Sequence, residues 1–350
     1  MNIKKILLCF LCAAMVLPFA ACRPAVTPDD SSAESTSEAE VEESAQAEET
    51  SAPDESVAES EPECESESNS ETERDIGVNI LADPTFQNGF KLINTREEGG
   101  GVVKILPARD GSTDHTSWMV AQWWNNNLLQ NGTETVTDTT YSIKDASKEV
   151  AVDWEKGMLT LTLNASQELT APSATKWPHL LLEQSIPATS LKDAESVTAT
   201  ITYNIVENSN KTQGAALHAQ FAWFIYISDT NPESEGNGNF LWFGLNLFNS
   251  QTISTSLYHA QDMAGGPGNY IYSLGTSSFL DTRMWVGRPI EVECDILPYI
   301  AAALDQAHKD GFMIGTDIED VSIIGMNIGW ENFDRWDETV TIENLGIYVK

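Results

Sequence analysis

The chain has 350 residues, enough for one large or two ordinary domains, and a formal net charge of −34. Such an acidic surface repels phosphate backbones, which argues against a nucleic-acid partner and disfavours anionic polysaccharides, but not neutral glycans. Of the five cysteines, Cys9, Cys12, Cys22 and Cys64 precede any globular pattern and only Cys294 falls within one. The fold therefore has no internal disulfide and depends on a sizeable core.

The first 21 residues pair Lys4 and Lys5 with a short apolar run and end on small residues, which is a secretory signal. Their ending, FAAC, resembles the lipobox of bacterial lipoproteins. That resemblance implies a lipid-modified Cys22 as the first mature residue and attachment to the outer face of the bacterial cell membrane. Phe19 departs from the Leu usual at its position, and a plain signal peptide with an incidental cysteine is the alternative. Residues 23–75 hold 19 Asp and Glu against Arg23 and Arg74, with almost no aromatic or branched aliphatic side chains. A tract of this kind cannot bury enough apolar surface to offset its ordering entropy, so 22–75 is expected to be a disordered, self-repelling stalk. Residues 76–350 still carry 34 acids to 15 bases, and all ten tryptophans.

From Val78 the pattern is all-β. NILADPTFQNGF resembles the opening strand of galactose-binding-like jelly rolls among carbohydrate-binding modules. Further strands are expected in GVVKILP, WMVAQWW, EVAVDW, MLTLTLN, LLLEQSI and ESVTATITYNIV, separated by clusters rich in Gly, Asn, Asp, Ser and Pro. PIEVECDI alternates, with Ile290, Val292, Cys294 and Ile296 inward. LPYIAAALDQAHKDG predicts one inserted helix near 297–310, its stripe running through Leu297, Ile300, Ala301, Leu304 and His308. Asp295 is placed to cap it. VSIIGMNIGW and TVTIENLGIYV close the chain, and a change of parity in the latter predicts a bulge near Asn344. The expected fold is a two-sheet antiparallel β-sandwich, a jelly roll, monomeric, over 76–350.

Two long apolar runs between Ala215 and Asp262 dominate this plan. With a period of two, Leu217, Ala219, Phe221, Trp223, Ile225 and Ile227 share one face, as do Leu241, Phe243, Leu245 and Leu247. The second face carries His218, Gln220, Phe224 and Tyr226 from one run and Trp242, Asn246 and Phe248 from the other. His179 and Glu183 of WPHLLLEQ join it. Aromatic rings interleaved with hydrogen-bonding groups can stack on a sugar and grip its hydroxyls. A loop or helix covering that face, turning it into a second core, is the competing reading.

Catalytic signals are sparser. None of the five histidines has a zinc spacing. Glu183, Asp262 and Glu331 are carboxylates in aromatic settings, and two of them facing one groove would meet the acid-and-base demand of glycoside hydrolysis. LYHAQD and LHAQF resemble, in residue types, the Tyr, His and Gln of jelly-roll polysaccharide lyases, but the basic strand that clamps uronate is missing. No cofactor is expected; GWENFDRWDETV at 329–340, rich in acids, is a candidate turn for structural calcium. The sequence thus reads as a lipid-anchored surface protein that binds a neutral polysaccharide or a sugar-bearing partner. A glycoside hydrolase on the same fold is the alternative, and a structural or adhesive cell-envelope domain the third reading.

Overall fold

The computed structural model describes residues 75–94, 100–173, 175–213, 217–263 and 266–350. The expectations for the leader, for Cys22, for residues 22–74 of the stalk and for Cys64 lie outside the described residues.

The strands, in chain order, are β1 (Val78–Asn79), β2 (Phe90–Ile93), β3 (Val102–Leu106), β4 (Trp118–Ala121), β5 (Thr133–Val136), β6 (Thr140–Lys144), β7 (Lys148–Asp153), β8 (Met158–Asn164), β9 (His179–Ser190), β10 (Val197–Asn210), β11 (Ala219–Asp229), β12 (Phe240–Asn249), β13 (Tyr258–Gln261), β14 (Asn269–Leu274), β15 (Ile290–Asp295), β16 (Val321–Asn332) and β17 (Trp336–Val349). They form two sheets. The smaller runs β15-β10-β17-β8-β7-β6-β5, with β1 added beside β17. The larger runs β13-β14-β12-β11-β16-β9-β4-β2-β3. Pairing is antiparallel except for β12 with β14 and β2 with β4, which are parallel. The β12–β14 pair arises because the chain leaves one end of β12, makes β13 on the way back and re-enters alongside, the long crossover that a parallel pair requires.

Alternation explains the strands of the smaller sheet. In β8, Leu159, Leu161 and Leu163 are fully buried while Met158, Thr160 and Thr162 are half-buried. In β15 Ile290, Val292 and Cys294 point inward, as their spacing predicts, and Cys294 is a free, buried thiol. The two sheets meet through one apolar cluster that includes Phe221, Trp223, Ile225, Phe243 and Trp330 from the larger sheet. Two hydrogen bonds cross between the sheets inside this core. The Trp330 indole donates to Leu161 O (3.2 Å) and the Tyr203 hydroxyl to Leu247 O (2.6 Å). Each gives a buried polar tip its partner.

The bulge expected near Asn344 is present: register slips between Thr200↔Gly346 and Thr202↔Glu343, and Asn344 takes φ +52°. A second bulge, which the sequence does not announce, corrects a placement. Register slips between Phe221↔Phe248 and Ala222↔Asn246, so Leu247 becomes the extra residue. Phe248 is therefore turned off the second face and into the core, edge-on to Trp330 at 6.2 Å.

The helix α1 spans Leu297–Lys309, and its buried stripe is Ile300, Ala303, Leu304 and Ala307. Ala301 and His308, expected on that stripe, lie at its margin and are half-buried; His308 Nε2 meets Met313 O at 3.1 Å. Asp295 Oδ1 accepts from Leu297 N (3.1 Å) and from Val197 N (3.0 Å), tying the helix start to β10. Strands β5, β6, β13 and β14 are not among those expected from the sequence pattern. β5 is exposed throughout and β13 half-buried throughout, so neither has an apolar face to alternate.

Phe243 is fully buried and its ring stacks on Tyr272 at 6.4 Å. Phe243→Ala is expected to lower folding stability by about 3–5 kcal/mol, read from denaturant melts, because a core aromatic is lost and a cavity left.

Candidate functional site

The second face of the larger sheet is built by register. Four central strands stand in the order β12, β11, β16, β9, so residues of one parity line up across them. Gln220 pairs with Glu331, and Glu331 with His179. Two residues along, Ala222 pairs with Gly329 and Gly329 with Leu181. Two further on, Phe224 pairs with Asn327, and Asn327 with Glu183. The face is thus a polar row, a low strip of small side chains, and a second mixed row.

The first row is wired by directional hydrogen bonds. Asn246 Nδ2 donates to Gln220 Oε1 (3.1 Å), and Gln220 Nε2 donates to Glu331 Oε2 (2.9 Å). The other carboxyl oxygen, Glu331 Oε1, lies 3.7 Å from His179 Nε2. His179 is completely buried, with Trp177 and Trp124 packed on its ring at 5.4 and 5.2 Å. Trp124 holds φ +55°, a left-handed conformation that costs a bulky residue about 1–3 kcal/mol. Gln220 and Asn246 are half-exposed, as is His218, whose ring lies 4.5 Å from Phe333. Burial holds the His218 imidazole below its ordinary pKa.

Both glutamates of the face are buried, and burial dominates their chemistry. Desolvation pushes Glu331 up to about 7, against the opposing hydrogen bond from Gln220. It pushes Glu183 up to about 7 as well, against a hydrogen bond from the Trp123 side chain. A carboxyl held neutral near pH 7 can donate a proton or a hydrogen bond. Glu183 stands beside Asn327, four residues along β16 from Glu331, so the two acids are offset by about 13 Å along the strands. The group directly abreast of Glu331 on β11 is an amide, Gln220, not a second acid.

Flanking side chains divide the face. On one side Phe240, Trp242, Tyr226 and Phe224 form an edge-to-face aromatic cluster, with Trp242 at 4.9 Å from both Phe240 and Tyr226. Phe224 lies across Gly244, where an added Cβ would come within 2.6 Å of its ring. Trp242 is only 4 % exposed and Tyr226 likewise, so neither is the open sugar platform that the sequence suggests. The indole of Trp242 donates to Asp262 Oδ2 (3.1 Å), which makes Asp262 the anchor of a buried ring. Phe224 keeps partial exposure. On the other side Ile93, Ala121 and Leu181 form a small apolar cluster, with Met119 and Trp123 half-buried against it.

The candidate residues are therefore partly brought together. His179, Glu331, Gln220 and Asn246 form one row; Glu183 and Phe224 belong to another; Trp242, Tyr226 and Asp262 are locked into a second core; His218 sits at the edge. Trp123, Trp124, Trp177 and Asn327 were missed. WMVAQWW marks two of those rings only as strand, and no local signal reveals that Trp124 folds back over His179. The acidic turn after β16 holds one of its carboxylates in hydrogen bonds within the protein. Asp334 is buried, and its carboxylate accepts from Thr212 Oγ1 (2.6 Å), Leu217 N (2.9 Å) and Arg335 N (2.8 Å). Among the described residues no group of three or more His, Cys, Asp or Glu could hold a metal ion.

No family model matches the chain, and neither does any curated protein. Solved structures with a similar arrangement of strands include an endoglucanase Cel12A from Rhodothermus marinus, at 12 % identity and a TM-score of 0.35, covering 64 % of this chain and 98 % of that one. A native family 12 xyloglucanase from Bacillus licheniformis is similar at 11 % identity and a TM-score of 0.39, covering 65 % of this chain and 100 % of that one. A family 11 xylanase from Neocallimastix patriciarum follows at 8 % identity and 0.34, covering 66 % and 100 %.

Two expectations can be measured without a ligand. Trp242→Ala should destabilise the fold by about 3–5 kcal/mol, because the ring is buried. The raised acids set a pH profile. The unfolded chain releases these protons near 4.5, whereas the folded chain keeps them to about 7. Between those values the folded state binds more protons, so stability falls as pH rises, by about 1.4 kcal/mol per unit for each group, and the two contributions level off above 7. Thermal melts from pH 4 to 8 should show that decline, and Glu331→Gln or Glu183→Gln should flatten it.

Proposed function

We propose that this protein binds a neutral polysaccharide on the second face of its larger sheet. The observation that carries the reading is the oriented row Asn246–Gln220–Glu331, in which two half-exposed amides are held in fixed directions beside a carboxyl that burial pushes up to about 7. Fixed amides and a neutral acid match hydroxyls, while the half-exposed rings of Phe224, Trp123 and Trp124 offer flat surfaces for the C–H faces of sugars. The acidic remainder of the chain favours an uncharged ligand.

Hydrolysis is the second reading, favoured by the two neutral carboxyls, Glu331 and Glu183, on either side of the low strip at Gly329 and Ala222. The double-displacement course needs carboxyls about 5–5.5 Å apart, and Gln220 occupies the position abreast of Glu331. The neighbours of similar strand arrangement are named as a cellulase, xyloglucanases and a xylanase, which makes β-linked plant polysaccharides the first ligands to try.

The full chain, screened on a glycan array beside a reducing-sugar assay, is expected to retain neutral polysaccharide and release no reducing ends. Glu331→Gln and Gln220→Ala should each weaken that binding by about 1–3 kcal/mol in calorimetric titration, in the manner of hot-spot residues. Release of reducing ends, lost in both Glu331→Gln and Glu183→Gln, would instead establish hydrolysis. Attachment to the membrane through a lipid on Cys22 belongs to the same proposal, resting on the leader pattern alone. Cys22→Ala should move the protein from the membrane fraction to the soluble one.

A further inference from the structure

In the connection from β14 to β15 the chain turns Met284 inward, 4 % exposed, and leaves the larger side chain of Trp285 40 % exposed. A single hydrophobe at the surface needs no explanation, but the position of this ring is built. Its segment is pinned on both sides, Met284 N donating to Ile253 O (3.1 Å) and Gly287 N to Ile205 O (2.7 Å). The Arg288 guanidinium lies 4.2 Å over the ring, a cation–π contact that covers one face. Trp285 Nε1 donates to Thr282 Oγ1 (3.4 Å), which fixes the edge.

Against this ring lies a recess of about 440 Å³, within the size range of small-ligand sites. Ser254, Ser277, Asp281 and Arg283 line it with Trp285, and Arg288 does not, so the recess meets the part of the ring that the guanidinium leaves bare. The two loops that form it are joined where Thr255 N donates to Thr276 Oγ1 (2.8 Å). All four polar lining side chains are exposed. Among the described residues neither the Asp281 carboxylate nor the Arg283 guanidinium has a hydrogen bond or ion pair with the protein, so both are free to meet a ligand.

We propose that this recess is a second carbohydrate-binding site, taking one neutral sugar unit with its C–H face on the Trp285 ring and its hydroxyls on Asp281 and Arg283. A fixed flat ring beside hydroxyl, carboxylate and guanidinium groups supplies both the apolar surface and the donors and acceptors that a sugar presents. One acid and one base cancel within the lining, so the recess selects no net charge, and the acidic remainder of the chain repels anions. Ile253 and Val286 are exposed along the same segment, a feature that a protein partner would also use, but the polar lining favours the sugar. In its ligand class the inference rests on the polysaccharide reading; its residues are different ones. Ser254 lies eight residues beyond Asn246, so the recess is no more than about 28 Å from the polar row of the larger sheet. One polymer chain held at both places is retained more strongly than at either alone.

The test is affinity electrophoresis of the full chain through gels containing xyloglucan, mixed-linkage β-glucan, xylan or galactomannan, with thermal melts alongside. Trp285→Ala is expected to leave the melt unchanged and to weaken retention by at least one polymer about tenfold. Trp285→Phe should keep most of the retention, and Arg283→Ala should weaken it with the ring in place. Should Trp285→Ala lower the melt, Arg283→Ala decides. Gln220→Ala separates the two sites. Retention lost in Trp285→Ala but kept in Gln220→Ala upholds this inference and removes the second-face reading; the reverse pattern overturns this inference and upholds that reading. Retention unchanged in both Trp285→Ala and Arg283→Ala, or no retention of the wild-type chain by any of the four polymers, also overturns it. So does a change from dimer to monomer in sedimentation of Trp285→Ala with glycan retention intact, which would make the ring a contact between copies of this chain.

Discussion

The arrangement depends on one constraint: four central strands of the larger sheet are buried on both faces. Toward the smaller sheet they present Phe221, Trp223, Ile225, Phe243, Ile328 and Trp330, all fully buried. Toward the other side they present side chains that are also largely withdrawn from water, though acids, amides and an imidazole stand among them. A buried polar group must be hydrogen-bonded or neutral. That requirement explains why amides neighbour Glu331, why the Trp123 side chain reaches Glu183, and why both carboxyls hold their protons to about 7.

The same constraint accounts for the uneven character of the second face. Where aromatic residues cluster, at Phe240, Trp242 and Tyr226, they close up edge to face, with the one indole donor passed to Asp262. Where amides and acids cluster, they cannot close in this way, because each retains directions in which a donor or acceptor is wanted. The half-exposed part of the face is accordingly the part around His218, Gln220, Asn246 and Phe224.

Register is the device that converts strand order into chemistry. His179, Glu331 and Gln220 are far apart in sequence and abreast in space, because β9 and β11 flank β16. The bulge at Leu247 keeps Asn246 on the row while sending Phe248 to the core. Without that extra residue the period of two would carry both to the same side. Small side chains at Gly329 and Ala222 then separate the Glu331 row from the Glu183 row, so each acid responds to its own burial.

Much of this was legible in the amino-acid order. Alternation in β8, β10 and β15, the helix over Leu297–Lys309, the break at Asn344 and the core role of Phe243 follow from local periodicity and from the conformations a residue can adopt, which neighbours in sequence determine. The residue set of the second face, His179, Glu183, Gln220, Phe224 and Asn246 included, was also legible, since parity assigns a face. The rest was not. Parity cannot tell an open face from a covered one, so Trp242 looked like a platform when it is buried, and the bond from its indole to Asp262 left no mark in the pattern. Nor can it bring Trp124 over His179, place an amide beside Glu331, or lift a carboxyl's pKa. Those depend on which strands become neighbours and on how much water is left between them, and both are properties of the packed sheets.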